Sequence, residues 1–171
     1  ESPVSICRLK RVAADHKQEI KSFLPMAPEH KNGKRVALIG AGPAALSAAR
    51  DLMLTGYHVV LFDREQKAGG MMRSQIPSFR LPDSTLDEEV NFVLDMGVET
   101  RFGHNIDSMR TLLDENFDAI FVATGAPNGR QLYLPGLKTA KQKVQLGLNW
   151  LASVNFGHVT EVSPRVVVLG G

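Results

Sequence analysis

Apolar positions along the chain fall into short runs and helical stripes that follow one another in a fixed order. Val36-Ala37-Leu38-Ile39 is a continuous apolar run, the mark of a strand covered on both faces. Leu46, Ala49, Leu52 and Met53 then recur at the spacing of one helical face. Tyr57 to Phe62 reads as a second strand, ending at Asp63. Asp83 or Ser84 can cap a helix carrying Leu86, Val90, Val93 and Leu94 on one side. A further strand begins at Gly97-Val98 and runs to Phe102, and Leu112 with Leu113 marks a short amphipathic helix. Asp118 to Ala123 predicts another buried strand, and Val144, Leu148, Leu151 and Ala152 predict a later helix, with Trp150 placed for core or interface packing. Strands alternating with helices predict an α/β fold, a doubly wound parallel sheet.

The two ends read differently. Ser2-Pro3 can start a helix whose apolar positions are Ile6, Leu9, Val12, Ala13, His16 and Ile20, with Lys10, Arg11, Lys17 and Lys21 on a solvated side. Cys7 is expected in a small, buried apolar role rather than in chemistry. Pro25 and Pro28 close this segment, and Glu29 to Lys34 reads as a linker, so the first part is a short helical appendage. At the other end, Arg165 to Gly171 reads as a buried strand running into a glycine turn, the way a second nucleotide-binding unit opens. Both ends predict that the chain is a piece of a larger protein.

Candidate chemistry concentrates after the first strand, at Gly40-Ala41-Gly42-Pro43-Ala44-Ala45. Gly40 permits a tight turn, and Gly42 lets the main chain approach a pyrophosphate. Ala45 is small enough for the helix to lie against its strand, and Pro43 has no N–H to lose in the first turn. The helix offers free N–H groups and a positive dipole end to phosphates. Asp63 follows at the place where an acid can hold ribose hydroxyls. A turn that binds nothing would need only the glycines. The strand, helix, second strand and acid together point to a dinucleotide in a Rossmann-like unit.

Several further residues leave two readings. Arg64 either meets a 2′-phosphate or faces solvent. Gly69-Gly70 either brings the backbone close to a ligand or only turns the chain. Ile76 to Pro82 reads as extended, because a residue before proline is driven out of helical geometry. The small residues of Thr124-Gly125-Ala126 either open a ligand crevice at a strand's carboxyl end or reverse the chain.

Composition narrows the classes. The 171 residues suffice for one domain with a real core, and a net charge of +2 gives no case for nucleic acid or a membrane surface. No apolar run is long enough for a membrane span, and a cytoplasmic location is the default. One cysteine excludes an internal disulfide and an iron–sulfur or zinc site built from this chain alone. The five histidines are scattered without metal-ligand spacing, and no catalytic triad stands out.

Gly40-x-Gly42-Pro43-Ala44, Asp63, Gly69-Gly70-Met71, Ile76-Pro77-x-Phe79-Arg80-Leu81-Pro82 and Ala123-Thr124-Gly125 occur in that order. This series resembles the FAD-containing, NAD(P)H-oxidising module of the glutamate synthase small subunit and the amino-terminal part of dihydropyrimidine dehydrogenase. The likeness covers nearly the whole chain, and the Ile-Pro segment is its most specific part. It implies that the first glycine turn holds the FAD pyrophosphate and that Asp63 holds the adenosine ribose. It also implies FAD contacts at Gly69, Gly70, Met71 and Arg80, a backbone contact to adenine near Ile106, and closure over the cofactor at Ala123, Thr124 and Gly125. Two positions depart from the pattern: Asp63 stands where Glu is usual, and Ala45 replaces the third glycine.

The resemblance further implies three regions. Residues 1–33 would be the tail of a helical iron–sulfur domain with a linker, 34–162 the first part of the FAD domain, and 163–171 the first strand of an NAD(P)H domain. In the complete protein, nicotinamide would give hydride to the flavin, and electrons would pass through iron–sulfur clusters to a partner domain or subunit. NAD(P)H and the clusters would be bound outside this chain, which by itself should not turn over NAD(P)H. No acid–base catalyst is expected within it. Two other readings are an NAD(P)-dependent dehydrogenase without flavin and a non-catalytic scaffold segment of a larger complex.

Overall fold

The computed structural model describes residues 3–130, 133–137, 139–140 and 143–170. Its centre is a parallel sheet of β1 (Arg35–Ile39), β2 (His58–Asp63), β3 (Glu99–Phe102) and β4 (Ala119–Val122), in the order β3-β2-β1-β4. Leu38 of β1 lies level with Leu61 of β2 and Phe121 of β4, and Leu61 lies level with Thr100 of β3. The helices are α1 (Ile6–Asp15), α2 (Pro43–Leu54), α3 (Met71–Ser74), α4 (Asp83–Leu94), α5 (Met109–Leu113) and α6 (Gly147–Asn155).

Successive side chains of a strand point to opposite faces, so β1 and β2 feed two cores. Val36 and Leu38 join Val59 and Leu61 on one face, under Ala45, Leu46, Ala49 and Met53 of α2 and Leu86 and Val90 of α4. Ala37, Ile39, Val60 and Phe62 face the other way and meet Leu112 of α5. The α/β, doubly wound architecture read from the pattern is the one observed.

Several local expectations differ. α1 stops at Asp15, where Arg11 pairs with the carboxylate at 2.8 Å, and Ile20 lies beyond the helix. Ser5 occupies the N-cap position, while Ser2 lies outside the described residues. No residue of α1 is buried, and Cys7 is exposed rather than buried, because nothing among the described residues covers the helix. Pro82 rather than Asp83 or Ser84 occupies the N-cap of α4, and Asp83 instead puts its charge in the first turn, where the helix dipole favours it.

The loop after Asp63 contains a helix, α3, because Gly70 turns left-handed (φ +52°) and its carbonyl accepts from Ser74 N at 3.1 Å. Ile76 to Pro82 is not extended throughout: Arg80 N and Leu81 N both donate to Pro77 O, closing a turn. β4 is an edge strand rather than a buried one, with Phe121 and Val122 exposed. Leu134-Pro135-Gly136 forms a turn, in which Leu137 N donates to Leu134 O at 3.2 Å. Val144 precedes α6 rather than joining it. The closing apolar run forms no strand, and Val167 is 84% exposed, since no strand of the sheet pairs with it; Gly171 lies outside the described residues.

Candidate functional site

β1 delivers its carboxyl end to a turn in which the two glycines have different reasons to be glycine. Gly40 has φ +95°, and a Cβ there would lie 2.5 Å from Ala123 O. That position is closed to any side chain by the fold itself. Gly42 has an ordinary extended conformation (φ −80°, ψ −178°), and a Cβ there would meet only Gly70 Cα, at 4.0 Å. Nothing among the described residues requires glycine at 42. Its bare α-carbon leaves an open cradle at the start of α2, with Pro43 in the first turn, Ala44 exposed and Ala45 fully buried against the sheet. The first amide groups of a helix have no partners within it, so this end attracts anionic oxygens.

Asp63 ends β2 beside this turn. Its Oδ2 accepts from Ala41 N at 2.5 Å and its Oδ1 from Glu65 N at 2.9 Å. A carboxylate oxygen carries two lone pairs, so both oxygens can still accept from a hydroxyl. Arg64 is exposed and pairs with Glu65 at 3.3 Å. The loop after β3 is held here as well: Gly103 N donates to Glu65 O and His104 N to Asp63 O. Asn105 and Ile106 are thereby brought to the same side.

Gly69-Gly70 packs directly on the first glycine turn. Gly69 N donates to Ala41 O at 2.8 Å, and a Cβ on Gly70 would lie 2.8 Å from Gly42 Cα. Both glycines are left-handed (φ +132° and +52°). Arg73, one turn on, has a side chain only 11% exposed and donates from Nη2 to Asp87 at 2.5 Å. That hydrogen bond, the largest effect, outweighs the opposing effect of burial and, with the Arg73 charge and Lys67 adding to it, holds the Asp87 carboxyl below its ordinary range.

These segments border a cleft of about 820 Å³ at the carboxyl edge of the sheet, within the roughly 300–1,000 Å³ of ordinary ligand sites. Gly40, Asp63, Arg64, Gly70, Met71, Ile106 and Thr124 line it. Ala41, Gly42, Pro43, Ala44, Ala45 and Gly69 belong to the adjoining turns and helix start and are not among the lining residues. Ala123 is half-buried behind Gly40, its N–H bonded to Ile39 O, while Gly125 and Arg80 are exposed and stand apart from the lining.

The far wall was not legible in the sequence. It is α6, through Leu148, Asn149, Ala152, Val154 and Asn155, together with Phe156. Asn155 Nδ2 donates to Arg73 O at 3.2 Å and to Ile76 O at 3.0 Å, fastening α6 to the segment after the double glycine. Helical spacing marks the apolar positions of α6, but no local signal says which distant loop it meets.

Among the described residues no group of three or more His, Cys, Asp or Glu is placed to hold a metal ion. No described helix is long and apolar enough to cross a membrane.

The chain is 34% identical over its whole length to NADPH-Fe(3+) oxidoreductase subunit beta of Geobacter sulfurreducens, covering 26% of that protein. It is 31% identical over its whole length to the Glutamate synthase [NADPH] small chain of Mycobacterium tuberculosis, covering 38% of it. Over 78% of its length it is 34% identical to the NAD-dependent dihydropyrimidine dehydrogenase subunit PreT homolog of Salmonella typhi, covering 33% of that protein. These relatives bear out the resemblance to glutamate synthase and dihydropyrimidine dehydrogenase, and the chain spans well under half the length of each. A mutant of FprA from Mycobacterium tuberculosis shares the fold, with a TM-score of 0.55 and 20% identity over 61% of this chain and 25% of that one. Residues 34–171 match the family described as "Pyridine nucleotide-disulphide oxidoreductase", and the chain belongs to that family.

Proposed function

We propose that this chain is the FAD-binding part of a flavoprotein oxidoreductase that takes hydride from NAD(P)H and passes electrons, through iron–sulfur clusters, to a partner domain or subunit. The observation that carries this reading is Gly42: an ordinary backbone conformation, no internal contact that excludes a side chain, and an open cradle at a helix start. Family membership supplies the dinucleotide chemistry that fits such a cradle.

Gly40 to Ala45 would hold the pyrophosphate through backbone amides and the dipole of α2. Asp63, already oriented by Ala41 N and Glu65 N, would accept from the adenosine ribose hydroxyls. Ile106 would meet adenine by its backbone. Gly69, Gly70 and Met71 would flank the middle of the cofactor, and Ala123, Thr124 and Gly125 would close over it. Arg80 would reach it by folding its exposed side chain inward. Bound flavin supplies the redox step itself, accepting hydride and releasing electrons singly. The protein's residues bind, orient and exclude water. Cys7 is the only cysteine, so the clusters would be held outside this chain. Residues 1–33 would then adjoin a helical iron–sulfur domain, and 163–171 would open the NAD(P)H-binding unit. A cytoplasmic location suits this chemistry.

A flavin-free dehydrogenase gains no specific support from Arg64, which borders the cleft but is exposed and paired with Glu65 at 3.3 Å. The test is the colour of the natural protein carrying this chain. It is expected to be yellow and to release FAD on denaturation, and Gly42→Val is expected to yield folded protein without flavin. A colourless wild type that binds NAD(P)H, or a Gly42→Val variant with full flavin content, would overturn the reading.

A further inference from the structure

We infer that Arg73 is a positioning residue, holding the Gly69-Gly70 turn against the Gly40–Gly42 turn and thereby setting how tightly the dinucleotide is gripped. The inference rests on the FAD reading above. Two consecutive left-handed glycines are conformationally free and need tethers from outside the turn. One tether is Gly69 N to Ala41 O. A second is Arg73 Nε, which donates to Ala68 O at 2.9 Å, just ahead of the turn.

Arg73 in turn is anchored to α4. Its Nη2 lies 2.5 Å from Asp87 Oδ1 and its Nη1 3.4 Å from Asp83 Oδ1, while Lys67 reaches Asp87 from the other side at 3.3 Å. Its stem packs on the turn: a Cβ on Gly69 would come within 3.2 Å of Arg73 Cβ. Although Arg73 borders the cleft, each of its three guanidinium nitrogens already has a protein acceptor. Two of its five N–H groups remain free, but these three bonds aim the guanidinium at Ala68 O and α4, and it holds the turn from there. The planar fork suits this three-way task, and an ammonium group cannot span the same acceptors.

The natural protein carrying this chain is stripped of flavin, and FAD binding is titrated for wild type, Arg73→Met and Arg73→Lys, far below their melting temperatures. Arg73→Met keeps the stem and loses the donors. Its FAD dissociation constant is expected to rise about ten- to a hundredfold, the range for losing charged hydrogen bonds. Arg73→Lys should recover part of that loss. Wild-type affinity in Arg73→Met, or a melting temperature lowered with affinity unchanged, would overturn the inference, since the residue would then be merely structural. If Arg73→Met does not fold, Asp87→Asn decides: a several-fold rise supports the role and an unchanged constant overturns it. Gly42→Val run alongside separates the two ideas. Flavin lost in Gly42→Val but held normally in the Arg73 variants defeats the positioning role alone, whereas no flavin in wild type defeats the FAD reading.

Discussion

One face of the sheet is roofed by α2 and α4, and the core on that side holds thirteen buried residues among those described, strand residues included; the core on the opposite face, under α5, holds five. Both faces are built from the same two strands, with Leu38 turned one way and Ile39 the other. The thickly covered face is made by elements close together in the chain, and it carries the two glycine turns. The thin face leads to β4, whose Phe121 and Val122 stay exposed. The side of the glycine turns therefore rests on contacts between neighbouring stretches of the chain, and the β4 side presents an apolar edge.

The largest expected effect lies where the two faces meet, at the end of β1. Gly40→Val forces a side chain into a left-handed position and onto Ala123 O, and should destabilise by about 3 kcal/mol or more. Urea unfolding would measure it, and a loss under about 1 kcal/mol would show that the turn can relax away from β4.

A matched pair tests the inequality directly. Leu38→Ala should lie toward the upper part of the roughly 2–5 kcal/mol range for core truncations, and Ile39→Ala toward the lower part. Phe121→Ala, at an exposed position, should fall below both. Equal losses at 38 and 39 would mean that the faces are equally well packed despite their different cover.

Acid should act on the thick face through Asp87. Its folded carboxyl sits below the ordinary 3.8, so the native state binds fewer protons than the unfolded one. The stabilisation is present above 3.8 and fades as pH falls through the lowered folded value. Asp87→Asn should flatten the acid limb of the stability curve, read as urea midpoints from neutral pH downward. An unaltered limb would place the acid sensitivity elsewhere.

The smallest effect concerns the amino-terminal segment, which reaches α4 through Lys17 to Glu88 and Glu89 and Lys21 to Asp95. These pairs are exposed, and salt near 1 M screens such pairs almost completely. Proteolysis within residues 1–33 should quicken while the urea midpoint stays put. A midpoint that falls with salt would make the segment part of the thick face's core.

Strand–turn–helix–strand–acid was readable because each part depends on neighbours in the chain: short apolar runs along β1 and β2, small residues at the turn, an apolar stripe along α2. The same locality assigned Gly40 to a tight turn and Gly42 to close approach of a ligand, without the contacts behind either. Folding separates them, since Ala123 closes in on one and leaves the other open. The contact of Gly70 with Gly42, the reach of Arg73 to Asp87, the fastening of α6 by Asn155 and the bareness of β4 and Cys7 share one cause. Each depends on which distant segment arrives, or fails to arrive, beside it, and periodicity along a chain carries no record of that.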